Sequence, residues 1–173
     1  MRPIKFNVGL PNGNPADTLA TARRAEELGY YSVSIDDHFF MRGLMAEPRA
    51  PHFECFTMLS AVAAVTKSIR MLPLVASMSY RNPALLAKTM ASLDNLSGGR
   101  FIAGLGAGWF REEYDAYGFL IRRTRNGSNR WATVSRCSRR CGRRTSRPFM
   151  GGTSRLTRPI AIPNPCSGLI LRS

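Results

Sequence analysis

The feature that most restricts the fold is a repeated punctuation. Asn14-Pro15 and Asn82-Pro83 each open a stretch with a helical apolar period, and glycine closes each stretch. Asparagine caps a helix N-terminus through its side-chain oxygen, and proline suits the first helical position, where a missing N–H loses no bond. The first stretch predicts a helix from Pro15 with Asp17 in its first turn. Leu19, Ala22, Ala25 and Leu28 share one face, Arg23, Arg24, Glu26 and Glu27 the other, and Gly29 is the stop. The second predicts a helix from Pro83 through Leu86, Met90 and Leu93 to Gly98 and Gly99. Between them Phe56, Leu59, Val62, Ala63 and Val65 mark a further helix ending near Thr66.

Short β-branched or apolar runs separate these helices. Ile4 to Leu10 halts at the turn cluster Pro11, Asn12 and Gly13; Tyr31 to Ile35, Ile69 to about Ala76, and Arg100 to Leu105 follow. Strand and helix thus alternate at a spacing of roughly 30 residues, the pattern of right-handed βαβ crossovers onto a parallel sheet. The class is α/β. Periodicity does not separate an open sheet from a closed barrel, because both use the same unit.

The formal net charge of +14 would suggest a nucleic-acid binder if it were spread over the chain. It is not. Residues 1–119 hold twelve basic and eleven acidic side chains, whereas residues 120–173 hold thirteen arginines, no lysine and no acid. Three of the four cysteines, Cys137, Cys141 and Cys166, also fall in this tail, without the paired spacing and histidine partners of a zinc site, so no metal is expected. The N-terminus has no signal-peptide apolar run and no segment has the length to span a bilayer, so the expected location is cytoplasmic, with no membrane partner.

The segments AEELGYYSVSIDDHF, YRNPALLAKTMASLDNLSGGRFIAGLGAGW and REEYDAYGF together resemble the luciferase-like monooxygenase family, in particular its coenzyme F420-dependent oxidoreductase branch. The resemblance covers residues 4–119 nearly continuously. It implies the N-terminal half of a TIM-type (β/α)8 barrel, about four βα units, binding F420 or FMN at the C-terminal face of its strands. It also implies hydride transfer involving a small organic substrate. An FMNH2-dependent monooxygenase is the alternative, and a homodimer is expected of the parent enzyme.

By the same resemblance, Asp37 and His38, at the end of the second strand, face the flavin or deazaflavin ring. His38 would handle a proton, as an imidazole can near neutral pH, and Asp37 would orient it. Ala76 and Ser77, in the stretch Val75 to Met78 that ends the third strand, would bind the cofactor; relatives often carry a non-proline cis peptide near here. Gly106, Ala107 and Gly108 would line the same pocket, the glycines letting backbone approach a planar ring. This Gly-x-Gly-x-Gly run follows a fourth strand, so it is not a dinucleotide fingerprint. Arg81 is read as bracing the helix start or binding a carboxylate rather than reacting.

After Phe119 the resemblance stops. Relatives continue into a glutamate-bearing helix and later a Gly-Gly phosphate site, whereas the tail is rich in Arg, Ser, Gly, Pro and Thr. An average sequence would carry about 12% acidic residues there. Arginine without lysine is what a GC-rich gene yields when read out of frame. Residues 120–173 are therefore expected to be a disordered non-homologous tail on a truncated, inactive half-barrel, and a specific nucleic-acid-binding arm is the competing reading. The gene sequence across the codons for Tyr117 to Arg130 tests this. A glutamate-rich helix and a Gly-Gly site in another frame are expected; no barrel-like continuation in either frame makes the tail a functional part.

Overall fold

The computed structural model describes residues 4–40 and 50–119. The elements run β1 (Asn7–Gly9), α1 (Pro15–Glu27), β2 (Ser32–Ile35), α2 (Cys55–Val65), β3 (Arg70–Pro73), β4 (Ala76–Ser77), α3 (Pro83–Leu96), β5 (Leu105–Gly106) and α4 (Arg111–Tyr117). Both Asn-Pro starts form as expected. Asn14 Oδ1 accepts from the Ala16 N–H at 2.9 Å and Asn82 Oδ1 from the Ala84 N–H at 2.9 Å. The start of α2 uses Glu54, whose carboxylate accepts from Thr57 N–H at 2.6 Å and Thr57 Oγ1 at 2.8 Å.

β1, β2 and β3 form a parallel sheet in chain order, with Val8 beside Val33 and Val33 beside Met71. The third strand, expected to be continuous, is divided by a cis peptide between Leu74 and Val75, and β4 resumes beyond it. The fourth follows alongside: Met71 bridges Phe101, Ala76 N–H donates to Gly104 O at 2.9 Å, and β4 pairs with β5 in parallel. Strands in sequential order with no reversal are those of a barrel segment rather than of a doubly wound sheet.

One face of the sheet is covered by helices. Val33, Ile35, Leu59, Val62, Met71, Met90 and Leu93 are essentially inaccessible there. Alternation sends Ser32 and Ser34 to the opposite face, where Asn7 accepts from Ser32 Oγ at 2.9 Å and donates to Ser34 Oγ at 2.8 Å. In α1 the buried face is Thr18, Ala22 and Ala25, with Leu19 partly buried, and Leu28 lies 57% exposed. Leu28 sits at the C-cap, beyond the last helical turn. Thr18 can be buried because its hydroxyl donates to carbonyls of Pro11 and Asn14. Among the described residues no helix is long and apolar enough to cross a membrane. Residues 120–173, on which the tail expectations fall, lie outside the described residues.

Two charged groups fasten the end of the sheet where the strands start. Arg100 donates to Ser97 O, Thr66 Oγ1, Ile69 O and Ala63 O at 2.7 to 3.1 Å, joining the C-terminal ends of α2 and α3 to the entry of β3. Glu26, at the end of α1, accepts from the N–H groups of Lys67, Ser68 and Ile69. Partial burial raises the Glu26 pKa, but these donors outweigh it and bring the carboxyl from 4.5 to about 2. A depressed carboxylate contributes stability that is complete above its unfolded pKa and is lost as pH falls from about 4.5 towards 2. Glu26→Gln is expected to lower unfolding stability by about 1 kcal/mol at pH 7, after allowance for solvent screening, and by much less at pH 2. Urea unfolding at the two pH values measures the difference.

Candidate active site

Parallel strands deliver polar side chains at their C-terminal ends, and four segments converge there: Asn12 after β1, residues 36–40 after β2, residues 77–81 from the last residue of β4 and residues 106–110 from the last residue of β5. Asp37 is buried at the centre of this face. Its oxygens accept a two-pronged contact from Arg81 Nη1 and Nη2, each at 2.7 Å, and the Ser77 N–H donates to it at 2.9 Å. Arg81 also reaches Glu54 at 2.6 Å and lies over the Phe56 ring at 4.9 Å. Burial alone would lower the Arg81 pKa; the paired carboxylates reverse that and raise it. Arg81 thus binds carboxylates, as expected, while Asp37 does not orient His38.

Glu113 takes that place. It is completely buried on α4, and its Oε2 lies 2.9 Å from His38 Nδ1 while also accepting from the Tyr80 hydroxyl. Its Oε1 accepts from Phe39 N–H at 2.5 Å and Phe40 N–H at 3.2 Å. Burial, and then the bond to Glu113, push the Tyr80 phenol up, so it remains a donor. The His38 ring meets Trp109 and Phe110 edge-on, with centroids 5.9 and 5.8 Å away. The rings of Phe39, Tyr80, Tyr114 and Phe119 pack against one another with spacings of 4.9 to 6.3 Å. Glu113 lies 75 residues from His38 and escaped the sequence reading. A signal existed, since Phe110, Tyr114 and Tyr117 recur at helical spacing and place Glu113 on their face.

Close packing requires the glycines of the fourth strand. A Cβ on Gly104 would stand 2.2 Å from Pro73 O, and one on Gly106 2.5 Å from Val75 Cγ2. At Gly108, with φ +84°, it would stand 1.6 Å from Tyr114 Oη. Protein atoms fill the space that side chains would need, so the glycines serve strand and helix packing. Ala76 and Ser77 are buried, and Ser77 Oγ lies 3.1 Å from Tyr114 Oη, whereas Ala107 and Gly108 lie exposed at the rim. His38 and Asp37 therefore sit on separate hydrogen-bond networks.

A third polar group stands beside them. Asp36 Oδ2 pairs with His52 Nε2 at 2.7 Å, and Asn12 donates to Phe53 O at 2.8 Å. Burial raises the Asp36 pKa, but the neighbouring His52 outweighs it and lowers it overall.

A family model described as luciferase-like monooxygenase matches residues 3–164, extending past Phe119. Pyrimidine monooxygenase RutA of Klebsiella pneumoniae subsp. pneumoniae is 37% identical over 67 residues, 39% of this chain and 18% of RutA. Among solved structures, an F420-dependent secondary alcohol dehydrogenase in complex with an F420-acetone adduct superposes with TM-score 0.75 at 22% identity, over 96% of this chain and 51% of that one. The oxygenating constituent of 3,6-diketocamphane monooxygenase from the CAM plasmid of Pseudomonas putida, in complex with FMN, gives TM-score 0.64 at 20% identity, over 84% and 41%. These two likenesses establish the fold. The chain spans about half the length of the first of these structures and under a third of the curated relatives it matches.

Two glycine substitutions separate conformation from crowding. Gly29 has φ +75° and open space around its Cβ position, so Gly29→Ala is expected to cost about 1 kcal/mol for the left-handed backbone alone. Gly108→Ala adds a clash with Tyr114 and is expected to cost about 3 kcal/mol. Equal costs in denaturant unfolding would contradict the packing assigned to Gly108.

Proposed function

The chain belongs to the luciferase-like monooxygenase family, and from that premise we propose that its site serves redox chemistry on a small organic substrate, with coenzyme F420 as hydride carrier. Reduced FMN in an oxygenating reaction is the second reading. The observation that carries the proposal is His38, held at the C-terminal end of β2 between Glu113 and the rings of Trp109 and Phe110.

A planar tricyclic cofactor needs apolar surface beside groups that exchange protons. Trp109, against the clamped imidazole, is 76% exposed, and Leu74 and Val75, between β3 and β4, are 54% and 44% exposed; this apolar surface fits such a ring. Bound F420 supplies or accepts a hydride; bound reduced FMN supplies electrons to dioxygen. In this reading His38 gives or takes the accompanying proton, and Trp109 with Phe110 limits its rotation. Ala107 and Gly108 contribute rim backbone to the cofactor pocket, with Gly106 beneath them. Ala76 and Ser77 contribute by placing the β4 end, their side chains being engaged with protein. Asp37, held by Arg81 and the Ser77 N–H, ties the end of β2 to the end of β4.

Titration of a full-length relative carrying the same His–Glu pair with F420 and with FMN tests the choice. Binding of F420 is expected; binding of FMN without F420 transfers the reading to the oxygenating alternative. Replacing the histidine with alanine in that relative is expected to lower kcat about 100-fold or more while changing cofactor affinity little. An unchanged kcat would remove His38 from the chemistry.

A further inference from the structure

The contacts of Glu113 determine more than the position of His38. A carboxylate only accepts hydrogen bonds, and a neutral imidazole has one N–H and one lone pair. Two backbone donors occupy Oε1, from Phe39 and Phe40, and the Tyr80 hydroxyl donates to Oε2. His38 Nδ1 lies 2.9 Å from that same Oε2. With Glu113 ionised, Nδ1 must carry the hydrogen, and the lone pair is left on Nε2.

We propose that Glu113 is the positioning residue of this site, fixing His38 as the Nδ1–H tautomer so that Nε2 is the atom that exchanges a proton with substrate or cofactor. The functional half of this statement rests on the reading of His38 as the proton-handling group; the tautomer does not. When Nε2 takes a proton, the imidazolium bears N–H on both nitrogens and its charge stands against Glu113; release from Nε2 restores the starting tautomer. Tyr80 contributes by filling the remaining capacity of Oε2 from the turn before α3, so that a buried oxygen facing the ring keeps its donors throughout. The burial of Glu113 excludes water as a competing donor.

The test is a long-range 1H–15N spectrum of the 173-residue chain labelled with 15N-histidine, in which His38 and His52 are the two signals and His52→Gln assigns them. His38 is expected in the Nδ1–H form at a pH where it is neutral. In Glu113→Gln the two backbone donors hold the amide oxygen at the Oε1 position, which turns the amide nitrogen towards Nδ1. The tautomer is then expected to switch to Nε2–H.

Nε2–H in the unaltered chain overturns the proposal, since it would mean a protonated Glu113 donating to Nδ1. Nδ1–H that persists in Glu113→Gln also overturns it, because something other than Glu113 would then set the tautomer. Should that variant not fold, Tyr80→Phe leaves the carboxylate in place and is expected to retain Nδ1–H; a switch there overturns the proposal instead. The readout uses no cofactor, so it stands or falls separately from the choice between F420 and FMN.

Discussion

A buried carboxylate is tolerated only when its lone pairs are met by donors, because the cost of leaving water is otherwise several kcal/mol. This constraint organises the C-terminal face of the sheet. Asp37 meets it with Arg81 and the Ser77 N–H, which ties β2 to β4 and, through Glu54, to the N-cap of α2. Glu113 meets it with two backbone N–H groups, Tyr80 and His38, which ties α4 to the turn after β2. The two networks adjoin without sharing a residue. One fixes the strand ends and the other holds the imidazole.

The opposite end of the sheet uses the same logic in simpler form. Glu26 gathers three backbone donors from the entry to β3, and Arg100 gathers carbonyls from the ends of α2 and α3. Between these polar ends lies an apolar layer in which Val33, Leu59, Met71, Met90 and Leu93 pack helices onto the strands. Apolar burial supplies the larger driving force. The charged groups at either end set which helix terminus meets which strand, and so where the site residues project.

Close backbone approach links the fourth strand to this arrangement. Gly104 and Gly106 let it lie against Pro73 and Val75, and Gly108 leaves room for the Tyr114 hydroxyl, which reaches Ser77. The Gly-x-Gly-x-Gly run therefore carries information about packing between neighbouring strands and α4. Trp109 and Phe110, the residues that follow it, are thereby brought edge-on to His38.

The amino-acid sequence determined the α/β alternation, the helix starts at Asn14 and Asn82, and the delivery of Asp37 and His38 to a strand's C-terminal end. Each of these depends on bonds or periods within a few residues, which a linear reading can resolve. The family also lay in the sequence, in the run from Tyr80 to Trp109 that the matching family model includes. Tertiary structure decided which carboxylate faces His38. Asp37, its neighbour in the chain, points to Arg81, and Glu113, 75 residues away, takes the ring nitrogen. Adjacent residues at a strand end diverge in direction, so proximity in sequence does not pair their side chains. Only the packing of α4 across the face could place Glu113 there.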